Sequence, residues 1–314
     1  MKIYLITANP RLTVVMKKKL ESMGELVVID AAQKMTTEEI IARAGDAEVL
    51  IAGSSGVEKI SREVLIGLKK LKMIATLTVG VAWIDVQTAK ERGITVCNIK
   101  GANAESVAEH AWGMILDLSK RITEFDRDVR NEGAFEFASY TGREVYGKTI
   151  GIIGLGDIGQ KVARIARGFD MKVLGFNRSK KNIENVEQVD LQRLLKESDV
   201  IVVCVPLTEE TTGLISGKEI GQMKDGVILI NPAMEKIVDK QSVLEAINNG
   251  KIYGFGVETD IMKPIPANDP YLKNPRILVT PHNAFNTEDA NIKSYDLVIE
   301  NIEKFIKGEP QNVV

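Results

Sequence analysis

Short apolar runs alternate with helix-length segments along all 314 residues, and that alternation leaves few folds open to the chain. Strands separated by helices pair in parallel, because a parallel crossover needs a dozen or more residues and a helix is the compact way to make one. KIYLI, ELVVID, EVLIAG, KMIATL and ITVCN form a first series of strands; TIGIIG, KVLGFN, DVIVVCV, GVILINP, IYGFGVE and RILVTP form a second. These runs read as strands buried on both faces, so each series is expected to build a parallel sheet covered by helices. Helices are expected over 13–23, 37–44 and 61–68, the last opened by Ser61 with Glu63 in its first turn. Between the two series, residues 104–122 place Val107, Ala111, Met114, Ile115 and Leu118 near helical spacing and are expected to link two domains. Residues 289–307 read as a closing helix, with Gly308 and Pro310 just beyond.

Composition sets limits on partners. Hydrophobic residues make up 44% and charged residues 27%, enough for two domains that each bury a core. A formal net charge of −2 offers no basic face for nucleic acid. No apolar stretch reaches the roughly 18 residues that span a bilayer, and the first nine residues read as a strand, so a cytoplasmic location is expected. Cys97 and Cys204 lie in or beside apolar runs and are expected in the core, with no disulfide framework and no metal site. His110 and His282 are the only histidines, so a mechanism that needs imidazole has two candidates.

TIGIIGLGDIGQKVARIA puts Gly154, Gly156 and Gly159 at Gly-x-Gly-x-x-Gly spacing between a strand and an apolar-periodic helix. Gly154 permits the tight turn, Gly156 lets a pyrophosphate approach the backbone, and Gly159 lets helix pack on strand. Asp157 and Ile158 then open the helix whose free N–H groups face the anion. The type of dinucleotide is decided at the end of the next strand, GFNRSKK. Asn177 is neutral where an NAD site carries an acid, and Arg178, Ser179, Lys180 and Lys181 supply positive charge and a hydroxyl for a 2′-phosphate. NADP(H) is expected over NAD(H); a merely solvated basic loop is the alternative.

With these residues read, the chain resembles the D-2-hydroxyacid dehydrogenase family over nearly its whole length. VGVAWIDVQTAKERGITVCNIKGANAESVAEHA is similar to the family's interdomain join, VYGKTIGIIGLGDIGQ to the entry of its cofactor domain, and VPLTEETTGLI, INPAMEKIVD and ILVTPHNAFNT to later landmarks. The resemblance implies an α/β protein with two Rossmann- or flavodoxin-like domains. It further implies that residues 1–99 plus 285–314 form a discontinuous substrate domain and 100–284 a Rossmann domain, with the active site expected in the cleft. It also implies a homodimer, a small-molecule substrate, and Pro206 and Thr211 among the residues that hold the cofactor.

The family moves hydride between nicotinamide and a 2-keto or 2-hydroxy acid with an Arg, a His and a Glu. By resemblance His282 is the general acid/base, with a structural histidine as alternative, and His110 is a packing or interface residue. The arginine position holds Met234, followed by Glu235, and the glutamate position holds Lys263. Methionine cannot clamp a carboxylate, and a lysine near His282 would disfavour the imidazolium. Three readings stay open: Lys263 replaces the missing cation, or the substrate presents no carboxylate there and Met234 makes an apolar contact, or hydride transfer is lost and an NADP(H)-binding sensor remains. Val79 and Gly80, after KMIATL, resemble a substrate-binding backbone loop. Ser55, between Ser54 and Gly56, is a further candidate that a plain turn would also explain. Trp83 is either an aromatic wall or a core residue.

Overall fold

The computed structural model describes residues 1–133, 141–260 and 265–314. They divide into two compact units, Met1–Asn103 with Thr287–Val314, and Ala104–Asn286.

The first unit begins with β1 (Lys2–Thr7), α1 (Val14–Met23), β2 (Glu25–Asp30), α2 (Thr37–Ala44), β3 (Val49–Ala52), α3 (Arg62–Gly67), β4 (Met73–Thr76), α4 (Val86–Glu91) and β5 (Thr95–Cys97). Caps fix the helix starts: Thr13 accepts the amide of Met16, Thr36 and Glu39 form a capping box, and Ser61 accepts the amide of Val64. The sheet runs β2-β1-β3-β4-β5, every pairing parallel. Its two faces feed two cores by the period of two. Tyr4, Ile6, Leu50, Ala52 and Ile74 join one, with Ile40, Val64 and Leu65 of the helices; Ile3, Leu5, Val49, Ile51, Met73 and Cys97 join the other.

The second unit holds α5 (Ala104–Lys120), α6 (Ile122–Glu132), β6 (Thr149–Ile153), α7 (Asp157–Ala166), β7 (Lys172–Phe176), β8 (Glu187–Gln188), α8 (Leu191–Glu197), β9 (Val200–Val203), α9 (Gly217–Gln222), β10 (Val227–Asn231), α10 (Lys240–Asn248), β11 (Ile252–Glu258), α11 (Pro270–Lys273) and β12 (Ile277–Thr280). The chain then returns to the first unit in α12 (Glu288–Ile306), whose Tyr295, Val298, Ile299 and Ile302 pack on the core that contains Ile3 and Leu5. The order in the second sheet is β12-β11-β10-β9-β6-β7-β8, again wholly parallel. The order reverses between β6 and β9, the switch point where open α/β sheets bind ligands outside their carboxyl ends. Alternate residues of β9 and β10 enter opposite cores, with Val200, Val202, Ile228 and Ile230 on the α5 and α7 side. Ile201, Val203, Val227 and Leu229 lie on the α8 to α10 side.

The α/β class and the parallel sheets expected from the sequence are thus present. Strand β8 was not legible, since two residues are too few to show a period. Cys97 is buried and Cys204 half-buried at the end of β9. Among the described residues no helix is long and apolar enough to cross a membrane, and no group of three metal-ligating side chains gathers.

Candidate active site

Because the second sheet is parallel, the turns that follow β6, β7, β9, β10 and β12 all leave its carboxyl edge. At the centre, β6 enters the glycine turn. Gly154 has φ +100°, and a Cβ there would lie 2.6 Å from the carbonyl oxygen of Cys204, so the turn accepts only glycine. Gly156 is the N-cap of α7 and makes no side-chain cap, and a Cβ on it would meet nothing within 4 Å. The first turn of α7, at Asp157, Ile158 and Gly159, therefore presents N–H groups to open space above Gly156, the arrangement a diphosphate requires. The side chain of Asn177 braces this turn from the end of β7. Its Oδ1 accepts the amide of Leu155 at 3.1 Å, and its Nδ2 donates to the carbonyl and hydroxyl oxygens of Ser179. Gln188 of β8 donates to the carbonyls of Asn177 and Ser179 and accepts the amide of Lys181. Gln188 was missed in the sequence because nothing in its short strand marked it.

Arg178, Ser179, Lys180 and Lys181 are exposed beyond Asn177. Arg178 is not a free cation: its guanidinium donates to Glu210 at 2.7 Å, across a pair in which both side chains are solvated. Such a pair is weak and a phosphate can displace the carboxylate. Pro206 and Thr211 share one turn, the Thr211 hydroxyl donating to the Pro206 carbonyl at 2.6 Å.

Met234 follows β10, partly buried against the aliphatic core, with its carbonyl accepting from the Asn231 side chain at 2.9 Å. Lys263 lies outside the described residues. His282 stands two residues beyond β12 at φ +52°, a left-handed conformation that costs a non-glycine residue about 1–3 kcal/mol and persists only where the surroundings enforce it. Its Nδ1 is buried and has no hydrogen-bond partner among the described residues. Phe285 packs at a tilt, ring centroids 6.0 Å apart.

His110 is more than the packing residue expected. From α5 its Nε2 lies 3.1 Å from Oε1 of Glu258, the last residue of β11, and 3.1 Å from the Thr280 hydroxyl. Glu258 is 1% exposed, and its carboxylate also accepts the Thr280 hydroxyl and, at 3.0 Å, the amide of Ala284. Burial pushes the Glu258 carboxyl up, but the hydrogen bonds from His110, Thr280 and Ala284 outweigh it and hold the group below its usual range. A glutamate closing the apolar run IYGFGVE was the available signal for this residue.

In the first unit Ser55 follows β3, its hydroxyl 3.1 Å from that of Thr7 at the end of β1. Val79 and Gly80 follow β4. The Val79 carbonyl accepts from Asn98 Nδ2 at 2.8 Å and the Gly80 carbonyl from the Trp83 indole at 3.1 Å. Trp83 thus packs on its own unit's core while its N–H fixes the loop. A separate cavity of about 140 Å³, lined by Arg121, Arg127, Tyr253 and Arg276, opens near the start of β11 and ahead of β12, at the opposite sheet edge from the glycine turn.

The family model described as D-isomer specific 2-hydroxyacid dehydrogenase, NAD binding domain, matches residues 112–284. The chain belongs to this family. It is therefore an oxidoreductase of the CH–OH class that works with a nicotinamide cofactor, and the turn after β6 has the geometry for one. Over 306 residues the chain is 34% identical to a hydroxypyruvate reductase of Blautia hydrogenotrophica, covering 95% of this chain and 94% of the relative. A glyoxylate reductase of Korarchaeum cryptofilum is 36% identical over 305 residues, 94% of this chain and 91% of the relative. Among solved structures, an acyclic imino acid reductase (Bsp5) in complex with NADPH and D-Arg superposes with a TM-score of 0.89 at 30% identity, covering all of both chains.

Proposed function

We propose that the chain is an NADP(H)-preferring reductase of small 2-keto acids in which His282 is the general acid/base. When bound, the nicotinamide supplies the hydride. The protein's part is to hold the dinucleotide and to deliver a proton to the substrate oxygen. The diphosphate is held by the amides of Asp157, Ile158 and Gly159 over Gly156, with Gly154, Pro206 and Thr211 completing the turn. Asn177, Arg178, Ser179 and Lys180 take the 2′-phosphate, with Arg178 exchanging Glu210 for the ligand. The amides of Val79 and Gly80 and the hydroxyl of Ser55 hold the substrate carboxylate. The substrate domain is then residues 1–99 with 285–314, and the cofactor domain 100–284. We propose a homodimer in the cytoplasm. The observation that carries the reading is His282, which follows the carboxyl end of a strand in an enforced left-handed turn. NADPH oxidation with glyoxylate and hydroxypyruvate tests it: turnover that vanishes in His282→Ala supports it, and a full rate in that variant sinks it.

Met234 and the imino acid reductase likeness favour a second reading, reduction of an imino acid. A protonated C=N bond is already polarised and carries its own proton, so it needs no arginine to polarise it, and an arginine at position 234 would repel its charge. Lys263 as a substitute cation belongs to the keto acid reading. Adding ammonium to the glyoxylate assay separates the two, because a large rate increase identifies the imine as substrate.

A further inference from the structure

The turn that carries His282 is fastened at both ends by side chains with no assigned role. On its near side the Thr280 hydroxyl donates to the Glu258 carboxylate, and His110 Nε2 lies 3.1 Å from both. On its far side both polar atoms of the Ala284 peptide are taken, its amide by Glu258 Oε2 at 3.0 Å and its carbonyl by the Ser106 hydroxyl at 2.7 Å. Ser106 and His110 are one helical turn apart on α5, so one face of that helix grips the residues two before and two after His282. The Asn286 amide adds a bond to the Asn283 carbonyl at 2.9 Å. A carboxylate only accepts, so the proton at the His110–Glu258 contact sits on Nε2. His282 Nδ1 has no hydrogen-bond partner among the described residues, whereas the backbone on either side of it is held by these bonds.

We infer that His110 and Glu258, with Thr280 and Ser106, are positioning residues that hold the left-handed turn of His282 in its working conformation. The inference rests on His282 as acid/base, and it makes Glu258 the hub: one buried carboxylate ties α5, β12 and the turn beyond it. Removing the His110 donor frees Glu258 to rotate and loosens the Thr280 and Ala284 ends together. A misplacement of about 1 Å at a catalytic group costs on the order of a hundredfold in rate.

The test compares kcat for glyoxylate with saturating NADPH in His110→Leu, His110→Gln and Glu258→Gln, each also combined with His282→Ala. His110→Leu should lower kcat about 10- to 100-fold with the KM for NADPH within about twofold, and His110→Gln, which keeps an N–H donor, should recover much of the loss. In the His282→Ala background His110→Leu should change the residual rate less than about twofold, since there is no longer a ring to aim. An equal loss in both backgrounds, or none in either, overturns the inference. A second readout needs no turnover. With only two histidines in the chain, a histidine-labelled NMR spectrum of the NADPH-saturated protein contains two imidazoles, and His110→Gln isolates that of His282. Glu258→Gln should shift or broaden the His282 signal, and an unchanged signal overturns the inference. Full turnover in His282→Ala would instead remove the acid/base reading, while the spectrum still decides whether the turn is held in this way.

Discussion

A Cβ built on Gly159 would lie 2.0 Å from the carbonyl oxygen of Gly154, so α7 can start against β6 only while position 159 has no side chain. Gly159→Ala should therefore lower the melting temperature and weaken NADPH binding at least about tenfold, because the helix start must shift. Gly156→Ala separates fold from ligand: its methyl meets nothing in the protein, so the melting temperature should hold while affinity falls. Thermal melts beside NADPH fluorescence titrations check both, and unchanged affinity in Gly156→Ala would mean that no phosphate lies over that residue.

His282→Ala should reduce kcat for glyoxylate by about 10²- to 10⁴-fold, the range of a lost general acid, with NADPH affinity within about twofold. Steady-state rates beside titrations decide it.

Met234→Arg, made with Lys263→Glu, introduces the arginine and the glutamate that the family resemblance assigns to these two positions. A carboxylate clamp is worth about 2–4 kcal/mol, so kcat/KM for glyoxylate should rise by up to about a thousandfold if a keto acid is the substrate. If an imino acid is the substrate, the arginine should lower the rate measured with ammonium present. No change with either would mean that position 234 does not face the reacting carbon.

Arg178→Ala combined with Lys180→Ala should raise the KM for NADPH about tenfold and leave that for NADH within twofold, since only the former carries the 2′-phosphate. Added salt should weaken NADPH more than NADH. Equal effects on the two coenzymes would return this segment to a plain solvated loop.

The Glu258 carboxyl titrates below its ordinary value of 4.5 because His110, Thr280 and Ala284 stabilise its charged form. Near that pH the unfolded chain binds more protons than the folded one, so the contribution is present above pH 4.5 and is lost as the pH falls through the lower native value. Melting temperatures of the native chain and Glu258→Gln should thus differ most at pH 7 and converge on acidification. A gap that widened in acid would contradict the hydrogen-bond assignment.

What could be read in the residue order was what local chemistry dictates. Alternating runs marked the strands, Ser61 marked a helix start, and the three glycines marked the cofactor turn, whereas the caps at Thr13 and Thr36 emerged only in the structure. His110 with Glu258 was hidden because their meeting depends on α5 lying over the end of β11, which neither segment announces. Arg178 looked like a free cation because Glu210, its partner, comes from a different loop. The left-handed turn at His282 was equally invisible, since a Pro-His-Asn sequence carries no glycine to signal a positive φ.

The first unit closes its core with Tyr295, Val298, Ile299 and Ile302 of α12, which pack with Ile3, Leu5 and Leu20 from the opposite end of the chain. During synthesis, then, the earliest strands must wait. The inserted unit holds all of its own strands and can consolidate on the ribosome first, whereas β1 and its neighbours stay open on one face until residue 302 has emerged. A nascent chain that has emerged only as far as residues 286 to 295 would carry one finished unit and one whose sheet still exposes the face that α12 covers, and that half-built sheet is where a chaperone would be needed.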